Sequence, residues 1–569
     1  MTTHETTAPT APAAAGALAA GPLGAGALGT AGLEAEPPGA EPPGPVPLSG
    51  TARSGTAPSG TARSSAPFAA APLAAGLRPD SPTARRRAFA VVFMIELWER
   101  FGFYGMAVLM VLFMVQGLGY SDRRANLAWG AMSALVYAVP ALGGWLGDRW
   151  IGTRRAMLVG TVVLGCGYAL LAIPFDSPHA LFGALALVAI GNGLFKPNAA
   201  NLVRRIYEGD PARIDSAFTI YYMAVNVGSV VSMLATPWVK EVWGWHAAFA
   251  VCAVGLACGL FNYALMRRAL DRVGGMGDRP RTPAGRLLLI AAGLCAVAVA
   301  ATLLLSHEEL AAACMAAVGG IVVVAWTRLA WRSPQHERRG MAAAALLTLL
   351  VALYFVFFQQ MSTSLTLFAL RNVDGHLQLA GLPLGRLLPA QFLALNSAWV
   401  IVLGPPLAWI YARLARGPGD FSIGFKFALG FASVASGFAL LVFGCHRGEH
   451  GLVSAWYMVG CYGLLSLGEL LISGLGLAVM ARYVPARISG FVMGGFFAAV
   501  GLAMYSGSYM ATMAQQPVGI EVGAQASLHA YTGLFGRLSS LALLGCVVSL
   551  ALLPLLRWLV PAGASGAQR

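Results

Sequence analysis

The sequence predicts an all-α polytopic membrane protein with about fourteen spanning helices. Three observations predict it. The 569 residues are 57% hydrophobic and only 11% charged, where a soluble domain carries about 25% charged residues. Apolar runs of about 20 residues, each long enough to cross a bilayer as a helix, recur from Phe89 to Val560. The basic residues gather in alternate loops between those runs. The two-residue alternation of membrane barrel strands is absent.

Residues 1–82 are rich in Ala, Pro, Gly and Thr and repeat themselves, with Ser49-Gly-Thr-Ala-Arg53 echoed at Ser59-Gly-Thr-Ala-Arg63. Such a segment buries too little surface to fold and reads as a disordered cytoplasmic tail. It lacks the basic, apolar and cleavage regions of a signal peptide. The apolar segments then fall at about 87–117, 126–147, 155–174, 179–203, 214–238, 245–267, 285–306, 309–331, 343–370, 389–414, 425–444, 453–483, 488–513 and 534–560.

Segments 285–306 and 309–331 carry no charge in mid-membrane, Arg286, Glu309 and Arg328 standing near their ends, and consist mostly of Ala, Leu and Val. They read as a lipid-facing hairpin inserted between two halves of six. The expected organisation is a tail (1–82), an N-terminal six-helix bundle (83–270), a linker with the hairpin (271–340), a C-terminal six-helix bundle (341–561) and a short tail (562–569).

The loop charges set the orientation. Arg85-Arg86-Arg87 precede the first segment, Arg149, Arg154 and Arg155 follow the second, Arg204, Arg205 and Arg213 follow the fourth, and Arg267, Arg268 and Arg272 follow the sixth. The intervening loops are poor in Lys and Arg, apart from Arg123-Arg124. The positive-inside rule places these loops and both termini in the cytoplasm. It also accounts for the net charge of +14 without nucleic acid as a partner.

The eight cysteines lie mostly in apolar segments without metal or CxxC spacing, so they read as small packing residues. The histidines are scattered, and no Walker-type phosphate loop occurs, so neither a metal, another cofactor nor ATP is expected. No nucleophile–base array is visible, so an enzyme is not expected.

The first segment carries Glu96-Leu-Trp-Glu99-Arg100-Phe-Gly-Phe-Tyr104-Gly105. A charge at the bilayer centre costs about 3 kcal/mol or more. Positions 96, 99 and 100 share one helix face by their spacing. That face must look into a bundle or a watery cavity. Further polar residues stand within other apolar segments: Tyr137, Lys196, Asn226, Asn396 and Glu469. A zwitterion with a carboxylate at one end and an ammonium at the other suits this set. Arg100 and Lys196 are cations in the first half, and Glu469 is an anion in the second. Asn226 and Asn396 can hydrogen-bond an ammonium or a carbonyl. Tyr104 and Tyr137 can donate hydroxyls while packing apolar groups. For Lys196 and Glu469 intramembrane charge argues for function. Asn226 and Asn396 read equally well as helix ties, and Tyr137 reads as packing on its own.

Six plus six is the repeat plan of the major facilitator superfamily. Gly143-Gly144-Trp-Leu-Gly147-Asp148-Arg149-Trp-Ile-Gly152-Thr-Arg154-Arg155 resembles its cytoplasmic loop signature. Gly144, Asp148, Arg149 and Arg154 are thus expected to act in conformational change. The Glu96-to-Tyr104 motif joins Gly191-Asn-Gly193-Leu-Phe195-Lys196-Pro197-Asn198 and Asp215-Ser-Ala-Phe218-Thr-Ile-Tyr221-Tyr222-Met223-Ala-Val-Asn226. It also joins Gln360-Met-Ser-Thr-Ser-Leu365, Gln391-Phe-Leu-Ala-Leu-Asn396 and Gly468-Glu469-Leu-Leu-Ile-Ser473. Together these resemble the proton-dependent oligopeptide transporter family, including its bacterial dipeptide and tripeptide permeases, in order over residues 88–560.

The resemblance implies a proton-coupled symporter that imports dipeptides and tripeptides across a bacterial cytoplasmic membrane by alternating access. Its partners would be small peptides, protons and membrane lipids, and it would be a monomer. The peptide carboxylate would lie near Arg100 and Lys196, and the amino end near Asn226, Asn396 and Glu469. A carboxylate kept from water can exchange a proton near neutral pH. Glu96 and Glu99 are the candidates for coupling, together with Arg100.

The chain also departs from the family pattern. It has Gln359-Gln360 where many members carry Glu-Gln, and Ala107 where many carry Arg. Those two pair across the gate in relatives, so something else must latch the outer gate here. Phe103 stands where a tyrosine is usual. Ser362, Ser397 and Gly474 stand where proline is frequent, and Gly495-Phe496-Phe497 where tryptophan is frequent. Competing readings are a related symporter for nitrate, histidine or a drug-like molecule, a non-transporting sensor, and a drug-exporting antiporter. Nitrate would not need Glu469, and a sensor would not need the Glu96/Glu99/Arg100 set.

Overall fold

In the computed structural model, the structure describes residues 81–175, 177–271, 273, 283–379, 382–414, 422–483, 486–516 and 523–559. The N-terminal tail, apart from its last two residues, and the C-terminal tail at 562–569 lie outside them. Among the described residues, fourteen helical stretches are long and apolar enough to cross a membrane.

The first half comprises α1 (Pro82–Leu112), α2 (Asp122–Leu146), α3 (Thr153–Ala172), α4 (Pro178–Ile206), α5 (Pro211–Trp243) and α6 (Trp245–Met266). The caps follow from the sequence. The Ser81 hydroxyl accepts from Ala84 N at 3.1 Å, with Pro82 at the first turn. The Ser121 hydroxyl accepts from Arg124 N at 3.2 Å. Gly152 (φ 88°) and Gly244 (φ 85°) turn the chain between α2 and α3 and between α5 and α6, in backbone regions that favour glycine.

Two further helices, α7 (Ala284–Ser306) and α8 (Glu308–Arg332), form the hairpin. Only 6% of the apolar stretch of α7 is buried, against 78% in α1, because α7 offers its neighbours little except one side against α4. The two helices form the hairpin expected from composition, and only 6% of the apolar stretch of α8 is buried as well.

The second half begins with α9 (Gln335–Gln359) and α10 (Ser364–Asn372), two parts of one span broken at Gln360–Ser362. It continues with α11 (Ala394–Leu414), α12 (Ile423–His446), α13 (Ala455–Tyr483), α14 (Ala486–Ala511), α15 (Ala524–Ala551) and α16 (Leu553–Leu559). In the first half α1 lies along α5 and α6, and α3 along α4. In the second, α12 packs on α13 and α15, and α9 on α13 and α14. The seam between halves is chiefly α2 against α14.

Several ends differ from the sequence expectation. The second span starts at Asp122 rather than 126, since a capped polar turn extends it. The ninth starts at Gln335 rather than 343, because a charged amphipathic turn continues the helix beyond its apolar part. The stretch between 370 and 389 forms β1 (Val373–Asp374), β2 (His376–Leu379) and β3 (Leu382–Arg386), with β2 and β3 antiparallel. β1 pairs in parallel with β4 (Val453–Ser454). Their short polar–apolar alternation is too brief to read as strands beforehand.

The basic loops share one end of the molecule. Arg85 meets Asp210, Arg205 meets Asp148, and the Arg154 guanidinium donates to Leu270 O and Asp271 Oδ1. The end carrying Asp122 lies opposite.

Candidate functional site

Glu96, Glu99 and Arg100 are each no more than 1% exposed on α1. Arg100 Nε lies 3.0 Å from Glu96 Oε1 and 2.5 Å from Glu99 Oε2. Glu96 Oε2 accepts from the Tyr221 hydroxyl at 2.5 Å, and Glu99 Oε1 accepts from Asn192 Nδ2 at 3.1 Å. Three helices, α1, α4 and α5, thus hold the carboxylates. Arg100 Nη2 is buried and makes no hydrogen bond. Lys196, 5% exposed on α4, lies in electrostatic range of Arg100, Glu99 and Glu96. Two carboxylates face two cations, so the buried group is formally neutral. That balance is what makes its burial tolerable.

Gly228 sets the approach of α5 to this group. A Cβ there would lie 2.7 Å from Leu97 O and 3.2 Å from Arg100 Cβ.

A cavity lies between the halves. The expected residues Tyr104, Asn226, Asn396 and Glu469 line it, with Trp129, Ser133 and Tyr222 among others. Asn396 Nδ2 donates to Glu469 Oε2 at 2.8 Å and to Ser466 Oγ at 3.0 Å, so Asn396 orients the only carboxylate among the lining residues. Asn226 Nδ2 donates to Tyr222 O at 3.0 Å, leaving its carbonyl oxygen for other partners. Arg100 and Lys196 do not belong to the lining, and neither does Tyr137, whose ring packs edge-on to Phe355. The departures Phe103, Ala107, Gln359, Ser362 and Ser397 all line the cavity. Arg100 stacks over Phe103, 5.8 Å from the ring centre.

Polar contacts between the halves close the cavity toward the Asp122 end. Arg371 holds Asp122 through Nη1–Oδ2 at 2.7 Å and Nη2–Oδ1 at 2.8 Å. Gln516 N also donates to Asp122 Oδ2. Below this, Trp129 Nε1 donates to Ser362 Oγ at 3.0 Å, and Gln359 Nε2 donates to Ser508 Oγ at 2.9 Å and Ser133 Oγ at 3.3 Å. Ser229 Oγ donates to Ser397 Oγ at 3.2 Å.

At the basic end, Asp148 Oδ1 accepts from Asn201 Nδ2 at 2.9 Å and lies 3.6 Å from Arg205. Gly144 faces the Pro197 ring, where a Cβ would meet it at 3.4 Å. Arg154 ties this loop to the end of α6, and Arg149 is exposed.

Sequence reasoning had assigned no role to Asn192 and Tyr221, though both sit inside motifs it singled out. It missed Asp122 and Arg371 altogether.

The fold and site define a membrane transporter of the major facilitator type, with its cavity at the interface of two six-helix halves. The model of the POT family matches residues 154–527, and the chain belongs to that family. It is 39% identical over 455 residues to dipeptide and tripeptide permease A of Erwinia pyrifoliae, covering 79% of this chain and 90% of that one. It is 39% identical over 433 residues to dipeptide and tripeptide permease A of Escherichia coli, covering 76% and 85%. Among solved structures, tetrameric PepTSo2 matches with a TM-score of 0.77 at 45% identity, covering 84% of this chain and 100% of that one.

Proposed function

We propose that this protein imports dipeptides and tripeptides together with protons across a bacterial cytoplasmic membrane. The observation that carries this reading is the pairing of one buried carboxylate, Glu469, on the cavity wall with a buried, balanced set of charges on the opposite half. A peptide with a free ammonium and a free carboxylate bridges these two poles. Family membership and the named permease relatives support the substrate class.

Glu469, oriented by Asn396 and joined by Asn226, takes the ammonium. Arg100 and Lys196 take the carboxylate, with Arg100 Nη2, which is buried and makes no hydrogen bond, as a donor to offer. Tyr104 stands between the charge set and the cavity.

Coupling follows from charge balance. While Glu96 and Glu99 are ionised, Arg100 is engaged by both. A proton on Glu99 cancels one attraction and frees guanidinium charge for the peptide carboxylate. Peptide and proton then load together. The loaded site is neutral enough for the halves to rock, whereas a peptide alone adds an uncompensated carboxylate to a low-dielectric site.

The contacts at the Asp122 end belong to a state closed on that side. The charge rule assigns that side to the exterior and both termini to the cytoplasm. Loop residues Gly144, Asp148, Arg149 and Arg154 would act as the inner conformational element. The cavity draws its lining from both halves of the chain, with Tyr104 and Asn226 from one and Asn396 and Glu469 from the other, which supports a single chain as the transporting unit. The tetrameric assembly described for PepTSo2 is compatible with that unit.

The test is uptake of labelled dialanine into proteoliposomes under an imposed inward proton gradient. The expected result is accumulation that requires the gradient and is favoured by acid outside. Uptake indifferent to the gradient overturns the reading.

A further inference from the structure

A second recess lies away from the central cavity, on the membrane-facing side between α2, α4 and α7. It is a groove of about 370 Å³, in the range of small-molecule sites of roughly 300–1,000 Å³. Its walls are apolar: Leu142 and Trp145 from α2, Leu194 from α4, and Leu289, Gly293 and Val297 from α7. Leu142 and Leu289 are 62% and 60% exposed, so the groove opens toward the bilayer.

The rim differs from the walls. Trp150 lines the basic end of the groove, and its ring packs against Trp145 at 5.7 Å. The Arg286 guanidinium lies over the Trp150 ring at 5.5 Å. Arg286 is exposed, and so is Arg149, which adjoins Trp150 in sequence. The acid close in sequence, Asp148, is engaged by Asn201 and Arg205. Paired indoles at this level mark the membrane interface. The groove therefore has an apolar trough below the interface and exposed cationic charge at it, with no ion pair to Arg286 or Arg149 among the described residues.

We propose that this groove is a binding site for an anionic phospholipid. One acyl chain lies along Leu142, Leu289, Gly293 and Val297, and the phosphate meets Arg286 and Arg149. Charge complementarity selects an anionic headgroup, and the apolar walls select a chain rather than a soluble anion. The inference is independent of the transported substrate.

The experiment is native mass spectrometry of the full-length protein released from detergent, with phosphatidylglycerol and phosphatidylethanolamine in competition. The wild type is expected to retain phosphatidylglycerol preferentially. Arg286→Gln is expected to lower that preference by about fivefold, the worth of one interfacial arginine near an anionic lipid. Gly293→Phe is expected to remove one bound lipid of either kind. A Cβ at Gly293 meets nothing within 4 Å, so the ring grows into the groove rather than into the fold. Equal retention of the two lipids by the wild type overturns the proposal. So does a preference unchanged in Arg286→Gln, whose exposed side chain is dispensable for folding. If Gly293→Phe breaks up an oligomer and leaves the lipid count unchanged, the groove's occupant is a second copy and the proposal is wrong.

Discussion

Arg371 at the end of α10 grips Asp122 at the start of α2 with two parallel hydrogen bonds, 249 residues apart in sequence. Asp122 is 4% exposed, and Tyr531 and Gln516 complete the cluster. This joins the two halves at the end opposite the basic loops. It lies one layer beyond the place where Ala107 and Gln359 leave no ion pair.

Asp122→Ala is therefore expected to weaken the state closed at that end. Removing one partner of a buried pair costs about 3–5 kcal/mol where the other charge stays buried. The measurement is the distance distribution between spin labels beside the latch, at the start of α2 and the end of α10. The mutant should populate longer distances, and the Asp122→Arg, Arg371→Asp exchange should recover much of the closed population. An unchanged distribution in Asp122→Ala contradicts a latching role.

The latch shows where the sequence stopped being informative. Apolar run length, alternating basic loops and a hairpin without mid-membrane charge made the helical plan legible, since each is a local property of the chain. The charges of α1 were legible because they stand in mid-membrane, where charge is costly. Asp122 and Arg371 stand at span ends, where a charge ordinarily faces water, so nothing in the sequence set them apart. The neighbouring Arg123-Arg124 pair looked like an exception to the charge rule. Arg123 in fact meets Glu308, and Arg124 stacks over Tyr120 at 4.3 Å. The polar ties of Gln359 and Trp129 also join helices far apart in sequence, and only folding brings them together.

Glu469 is assigned to the ammonium of the peptide. Glu469→Gln removes a charged hydrogen bond of about 1.5–3 kcal/mol, so KM for dialanine should rise about 10- to 100-fold. N-acetylated dialanine lacks the ammonium and should be handled alike by wild type and mutant. Equal losses for both substrates argue that Glu469 is structural.

The neutral pair Ala107 and Gln359 is internally consistent, and that consistency can be tested. Gln359 is 1% exposed and bridges Ser133 and Ser508. Gln359→Glu alone places a lone carboxylate there and should destabilise the folded protein by several kcal/mol, about 3 or more. Adding Ala107→Arg should recover part of the lost melting temperature. A double mutant no more stable than Gln359→Glu shows that the two positions do not face each other across the gate.

Gly143 packs so closely on Gly193 that an added Cβ would overlap the Gly193 carbonyl. Gly143→Ala should cost about 1–3 kcal/mol by overpacking the contact of α2 with α4. Gly183→Ala in α4, where a Cβ meets nothing within 4 Å, is the matched control. A lower melting temperature in detergent is expected for the first and none for the second. Equal melting temperatures contradict the close helix contact.

The central claim is that Glu99, paired with Arg100 and Asn192, couples protons to peptide movement. Its most direct test compares wild type with Glu99→Gln in proteoliposomes, measuring dialanine counterflow and proton-driven accumulation side by side. The mutant is expected to retain counterflow, because the cavity and its binding residues are intact, and to lose accumulation. A mutant that still concentrates dialanine against its gradient contradicts it.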